Sequence, residues 1–196
     1  MEIFINNENL NYTIEQEHTI GEILGSLEAE CEKSSMTITA IKIDGQNIPA
    51  EQLDAFFTRA PDSVAKIELE TTSGNTIISQ LRNLGKDLIS CVPRLQEIPV
   101  QLQTGKDLDV LETIKDFSSF LQTLYQIIPL LSITDVVSED ISIDGIPLPA
   151  YPAEMSPFLT DLFEALKNKD TVTVGDISEY EIAPRIECLG NVLAGI

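Results

Sequence analysis

The chain has 196 residues, 43% of them hydrophobic, which is material for one large domain or two small ones. It carries 32 acidic against 12 basic side chains, a formal net charge of −20, with 14 acids and 4 bases in residues 1–73 and 18 and 8 in residues 74–196. A surface this negative repels phosphate backbones and anionic lipid headgroups, both of which need Lys and Arg for neutralisation, so nucleic acid and membranes are not expected partners. Basic proteins, or simple solubility, fit the charge. The cysteines Cys31, Cys91 and Cys188 lie far apart, outside any C-x-x-C pair, and no leader pattern opens the chain. Together these point to a reducing cytoplasm.

Met1-Glu2-Ile3-Phe4-Ile5 alternates as a strand does, and Leu10, Tyr12 and Ile14 repeat the pattern. Ile20, Ile23, Leu24 and Leu27 follow with helical spacing. Ile41-Lys42-Ile43-Asp44-Gly45-Gln46-Asn47-Ile48 reads as strand, turn and strand, and Val64-Ala65-Lys66-Ile67-Glu68-Leu69 as a closing strand. Turn signals fill 56–63, and Thr71–Asn75 ends the module.

This ββαββ order, with an Asp-Gly turn between the third and fourth strands, is similar to ubiquitin and its β-grasp relatives. The resemblance covers residues 1–73 and implies a module that other proteins bind. It does not extend to conjugation, which needs a free C-terminal Gly-Gly; here the sequence runs on at Gly74. Nor does it reproduce ubiquitin's apolar sheet patch. The outward positions include Lys42, Lys66, Glu68 and Glu70, with Phe4 the one apolar candidate for partner binding.

From residue 76 the hydrophobic period lengthens to about three and a half. Ile77, Leu81, Leu84, Leu88, Cys91, Leu95, Ile98 and Leu102 form one seam, and Val110, Ile114, Phe117, Leu121, Leu124, Ile128 and Leu131 a second. Thr104-Gly105-Lys106-Asp107 provides a stop and a new N-cap between them. So short a link predicts an antiparallel helix pair over 76–132. Pro93, Pro99 and Pro129 predict kinks or breaks, since an interior proline costs about 3 kcal/mol in a straight helix.

A hairpin is expected within 134–153. There Ile141-Ser142-Ile143-Asp144-Gly145-Ile146-Pro147-Leu148-Pro149-Ala150 matches or nearly matches residues 41–50 at seven of ten positions. The likeness reflects either two hairpins of one turn type or a degenerate duplication. Two helices over 156–194 complete the prediction. Ser156 and Pro157 open the first, with Leu159, Leu162, Phe163 and Leu166 as its apolar face, and Pro184 interrupts the second. The fold class is therefore α+β: an N-terminal ubiquitin-like β-grasp module, then a mainly helical domain over 74–196 containing one β-hairpin.

Chemistry is hard to place on this chain. The single histidine, His18, has no nucleophile in any motif beside it, and no Walker loop or G-x-G-x-x-G occurs. One His and three isolated Cys cannot make a zinc site. Asp140–Gly145 opens like a calcium loop but fails at its twelfth position, Tyr151. No metal, cofactor or catalytic residue is expected.

The expected function is a non-enzymatic, cytoplasmic protein–protein interaction module, an adaptor or assembly factor. One alternative is an acidic chaperone for an exported or filament-forming subunit; in size and charge the chain is similar to flagellar and type III export chaperones. The other is an enzyme or its regulatory subunit. The partner is expected to be a protein, basic or offering an amphipathic helix to a groove near Phe117, Phe120, Leu121 and Tyr125. Phe120 and Tyr125 lie off the seam and are the partner-binding candidates there. Oligomeric state is open.

Overall fold

The computed structural model describes residues 1–14, 16–134, 136 and 141–196. It divides into two compact units, Met1–Thr76 and Ile77–Ile196.

The first unit is a mixed five-stranded sheet with one helix across it. Its strands are β1 (Glu2–Ile5), β2 (Glu8–Leu10), β3 (Thr37–Ile43), β4 (Gln46–Asn47) and β5 (Lys66–Thr72), in the order β2-β1-β5-β3-β4. β1 and β5 are parallel and every other pairing is antiparallel. Along the chain, two strands, a helix and two strands follow one another as expected from the sequence, and β5 closes the sheet. Helix α1 (Ile20–Lys33) opens with reciprocal capping: Thr19 Oγ1 accepts from the Glu22 N–H at 3.2 Å, and the Glu22 carboxylate accepts from the His18 N–H. Its Ile20, Ile23, Leu24 and Leu27 are buried together with Ile3, Ile43, Ile67 and Leu69 of the sheet. Asn6 and Asn7 turn β1 into β2 with positive φ, and Asp44 and Gly45 do the same between β3 and β4. A second helix, α2 (Ala50–Phe57), has no expected counterpart. None of its residues is fully buried; half-buried Leu53 and Phe56, three apart, pack on the core of the unit, but eight residues are too few for a helical period to stand out in the sequence.

The second unit is mostly helical. Helix α3 (Gly74–Gln103) and helix α4 (Asp107–Ile133) run antiparallel: Arg94 meets Asp116 at 2.7 Å, while Leu84 and Asp87 border a hollow shared with Thr123 and Ile127. Seven of the eight residues of the first expected seam are buried, Ile77 to Ile98, with Leu102 half-buried at its end. Gly105, at φ +73°, makes the turn between the helices. The cap position falls on Lys106, with no side-chain cap, and Asp107 lies in the first turn instead. Neither helix breaks at its prolines; α3 continues through Pro93 and Pro99, and α4 through Pro129. Burial of the seam on both sides of each proline offsets the lost backbone bond.

Strands β6 (Ser142–Ile143) and β7 (Ile146–Pro147) form the hairpin, followed by a 3-10 turn over Leu148–Ala150. Helix α5 (Tyr151–Asn168) begins five residues earlier than predicted. Pro152 takes the first-turn place expected of Pro157, which lies inside the helix, and Ser156 is not a cap. Tyr151 anchors this early start: it is buried and donates its hydroxyl to the Arg185 carbonyl at 3.0 Å. The last stretch is one helical path of α6 (Thr171–Asp176), a π-helical segment (Ile177–Ile182) and α7 (Ala183–Gly195). Pro184 follows directly on the wide turn. Its ring would strike the carbonyl four residues back, and the widened segment, in which Ala183 N–H reaches Ser178 O, relieves that contact.

Helices α3 and α7 cross at glycine. A Cβ on Gly85 would lie 2.4 Å from the Ala194 backbone nitrogen and 2.7 Å from the Gly190 carbonyl oxygen. Only two residues without side chains allow that approach.

Candidate functional site

Helix α4 turns Phe117, Leu121 and Tyr125 to one side at intervals of four. Helix α5 answers with Leu159, Leu162, Phe163 and Leu166, spaced three and four apart. Between them lies a groove of about 470 Å³, lined otherwise by Ser118, Gln122 and Gln126, so among the described residues no charged side chain lines it. Its floor is core: Phe117, Leu121 and Leu162 are at most 5% exposed. Its rim is open, with Tyr125 38% and Phe163 66% exposed. Past that aromatic pair a second hollow continues over Pro152, Ser156, Leu159 and Thr160. The α4 face also extends towards the helix start through Leu111 and Leu108, both strongly exposed. Counting back from Tyr125, positions 122, 118, 115, 111 and 108 keep three-and-four spacing on that face.

The helix faces decide where each expected residue falls. Tyr125 stands in the groove, and burial of part of its ring pushes the phenol pKa above its ordinary value. Phe120 does not share that groove. It lines a different hollow, between α3 and α4, among Gln80, Asn83, Asp87, Ser119 and Thr123. Five residues on an α-helix turn through about 140°, which separates Phe120 from Tyr125 although both lie off the seam. Phe163, expected in the core, is instead the more open aromatic of the rim; its spacing is that of a core position, but no described residue covers it. Exposed Phe163, Leu111 and Leu108 are the residues that sequence reasoning misses.

Phe4 belongs to the first unit. It is half-buried on the open face of β1, with Lys66 Nζ 4.4 Å from its ring centroid. Lys42 and Glu70 form an ion pair of 2.6 Å on the same sheet. Phe4 therefore meets charge rather than further apolar surface.

Among the described residues no group of three or more His, Cys, Asp and Glu side chains could hold a metal ion. The rejected calcium loop begins at Asp140, outside the described residues. No described helix is long and apolar enough to cross a membrane.

Comparisons place both parts of the chain. Residues 1–73 match the model of the TP0873 N-terminal domain, and residues 79–192 match a domain of unknown function, DUF8042. A protein of Treponema pallidum (strain Nichols), named "Uncharacterized protein", is 38% identical over 191 residues, covering 97% of this chain and 95% of that relative. No solved structure matches. With more than half its length under one family model and a relative of this identity along nearly all of it, the chain belongs to the DUF8042 family, with a TP0873 N-terminal domain ahead of the family's helical part.

Proposed function

We propose that this chain is a non-catalytic protein-binding factor, an adaptor or assembly factor, which holds an amphipathic helix of its partner in the α4–α5 groove. The observation that carries the reading is the groove's build: a buried apolar floor, uncharged walls and two exposed aromatics on the rim. An amphipathic helix fills such a groove with apolar residues spaced three and four apart. Covering Phe163 alone is worth roughly 1.5–3 kcal/mol if burial is complete. The net charge of −20 favours a partner whose polar edge is basic and disfavours nucleic acid. The first unit fits the same reading as a ubiquitin-like module, a kind of fold that serves as a binding surface. A cytoplasmic setting is consistent with three free cysteines.

The test is affinity capture from the native host with Phe163→Ala, Tyr125→Ala and Phe120→Ala variants. Loss of a rim anchor of about 2 kcal/mol weakens capture roughly 30-fold. The first two variants are expected to lose the partner at melting temperatures within a few degrees of the parent, and Phe120→Ala to keep it. Equal capture by all three rejects the groove, and turnover of a small molecule by the pure protein rejects the non-catalytic reading.

A further inference from the structure

The two similar sequence stretches adopt the same hairpin in different surroundings. Residues Asp44 and Gly45 have φ values of 49° and 81°, and Asp144 and Gly145 of 50° and 82°. In the first hairpin the Ile48 N–H donates to the Ile41 carbonyl at 2.9 Å, and in the second Leu148 donates to Ile141 at 2.8 Å. In both, the middle pair (Lys42 with Asn47, Ser142 with Pro147) lies between two hydrogen-bonded pairs, so its backbone groups point outwards.

The first hairpin uses that outward edge. Lys42 is paired with Glu68 of β5, and the Asp44 N–H donates to the Lys66 carbonyl at 2.9 Å. The Asp44 carboxylate then accepts from the N–H groups of Ala65 and Lys66 at 3.0 and 2.8 Å, fixing where β5 starts. On the second hairpin no described residue pairs with the outward N–H and C=O of Ser142 or with the N–H of Asp144. Ser142 and Asp144 are both exposed. The Asp144 carboxylate faces the Cys188 thiol, a weak donor that leaves most of its acceptor capacity unused. The other edge is closed: Pro147 has no N–H at the position where β7 would offer one.

We propose that β6 is a docking edge for an extended segment of a protein partner, which adds antiparallel to β6 as β5 adds to β3. The filled hairpin specifies the occupant. β5 supplies Ile67 and Leu69 at alternate positions, both at most 1% exposed and level with Ile43 and Ile41. The corresponding Ile143 and Ile141 are buried on one face of β6, so the incoming strand carries apolar side chains at every second position, beside them. Its first two N–H groups fall to the Asp144 carboxylate. This edge is independent of the α4–α5 groove.

The probe is a synthetic peptide copying residues 64–72 of this chain, added to the isotope-labelled full-length protein and followed by amide NMR. The amides of Ser142 and Asp144 are expected to shift and to exchange with solvent at least tenfold more slowly at saturation. The same peptide with alternate amides methylated is expected to bind at least tenfold more weakly. Ser142→Pro, which deletes the outward N–H, is expected to do the same, whereas Ser142→Ala binds as the parent does. Ser142 and Asp144 amides that stay unmoved to millimolar peptide overturn the proposal, as does equal binding of the methylated peptide, an arm that needs no variant to fold. Concentration-dependent shifts at these amides without peptide overturn it too, because the edge then pairs with a second copy of the chain.

Discussion

Substituting Gly85 by alanine probes the packing of the helical unit at its tightest point. The new Cβ would sit 2.4 Å from Ala194 N, 2.7 Å from Gly190 O and 2.9 Å from Leu193 C. Ordinary contact begins near 3.4 Å, so α3 and α7 must part by about 1 Å. Every obstructing atom is backbone, and no side chain can swing away. Overpacking of this kind costs ~1–3 kcal/mol, and a backbone obstruction belongs at the upper end. Separation also loosens Leu81, Leu84 and Leu88 from Ile186, Leu189 and Leu193, all buried in the same core. Alanine returns about 1 kcal/mol of helix propensity. The net loss is about 2–3 kcal/mol, or roughly 10 °C in the melting temperature of a unit of this size. Gly25 is the control: it lies in α1 with nothing within 4 Å of an added Cβ, so Gly25→Ala should gain up to about 1 kcal/mol. Denaturant unfolding followed by far-UV circular dichroism reads both. If Gly85→Ala is neutral or stabilising, as Gly25→Ala should be, the close crossing of α3 and α7 is wrong. Gly190→Ala added to Gly85→Ala should cost less than it does alone, since the helices have already moved.

Three further outcomes follow from burial. Phe117→Ala should cost about 3–5 kcal/mol because its ring is 1% exposed, whereas Phe163→Ala, 66% exposed, should stay within about 0.5 kcal/mol in the same unfolding assay. Ser178 is fully buried in the π-helical segment and its hydroxyl has no partner among the described residues; Ser178→Ala should therefore stabilise by about 1 kcal/mol, seen as a higher denaturation midpoint. Burial pushes the Tyr151 phenol up to about 12, against about 10 in the unfolded chain. A raised pKa means that its contribution is complete below pH 10 and is lost as the pH rises through the folded value. Between pH 10 and pH 12 stability should fall by about 2 kcal/mol more in the parent than in Tyr151→Phe, measured by denaturant titration at each pH.

How much of the fold is legible depends on whether a pattern has one packing solution. The seam of α3 is readable because a period of three and a half in Leu and Ile fixes one buried stripe. The β3–β4 and β6–β7 turns are readable because Asp-Gly accepts the positive φ values that they require. The start of α5 is not, because Pro152 and Pro157 are equally good first-turn residues and only the Tyr151–Arg185 bond decides between them. Pro184 signals an interruption, but not that a wide turn can absorb it. At the groove, Phe117 and Leu121 are legible as core and Tyr125 as a rim position. The exposure of Phe163 is not, since its spacing is that of Leu159, Leu162 and Leu166 and only the absence of a covering neighbour distinguishes it. Helix α2 is missed because it is only eight residues long and its Leu53 and Phe56 are too few to show a period.

The proposal of a helix-binding groove is tested most directly by photo-crosslinking in the native host. A benzophenone amino acid replaces Phe163, Tyr125 or Phe120 in turn, and the adducts are mapped by mass spectrometry. Positions 163 and 125 are expected to label the same segment of one partner protein, with apolar residues spaced three and four apart, and position 120 is not. Adducts from position 120 alone, or none from position 163 in cells where the partner is captured, would contradict the groove.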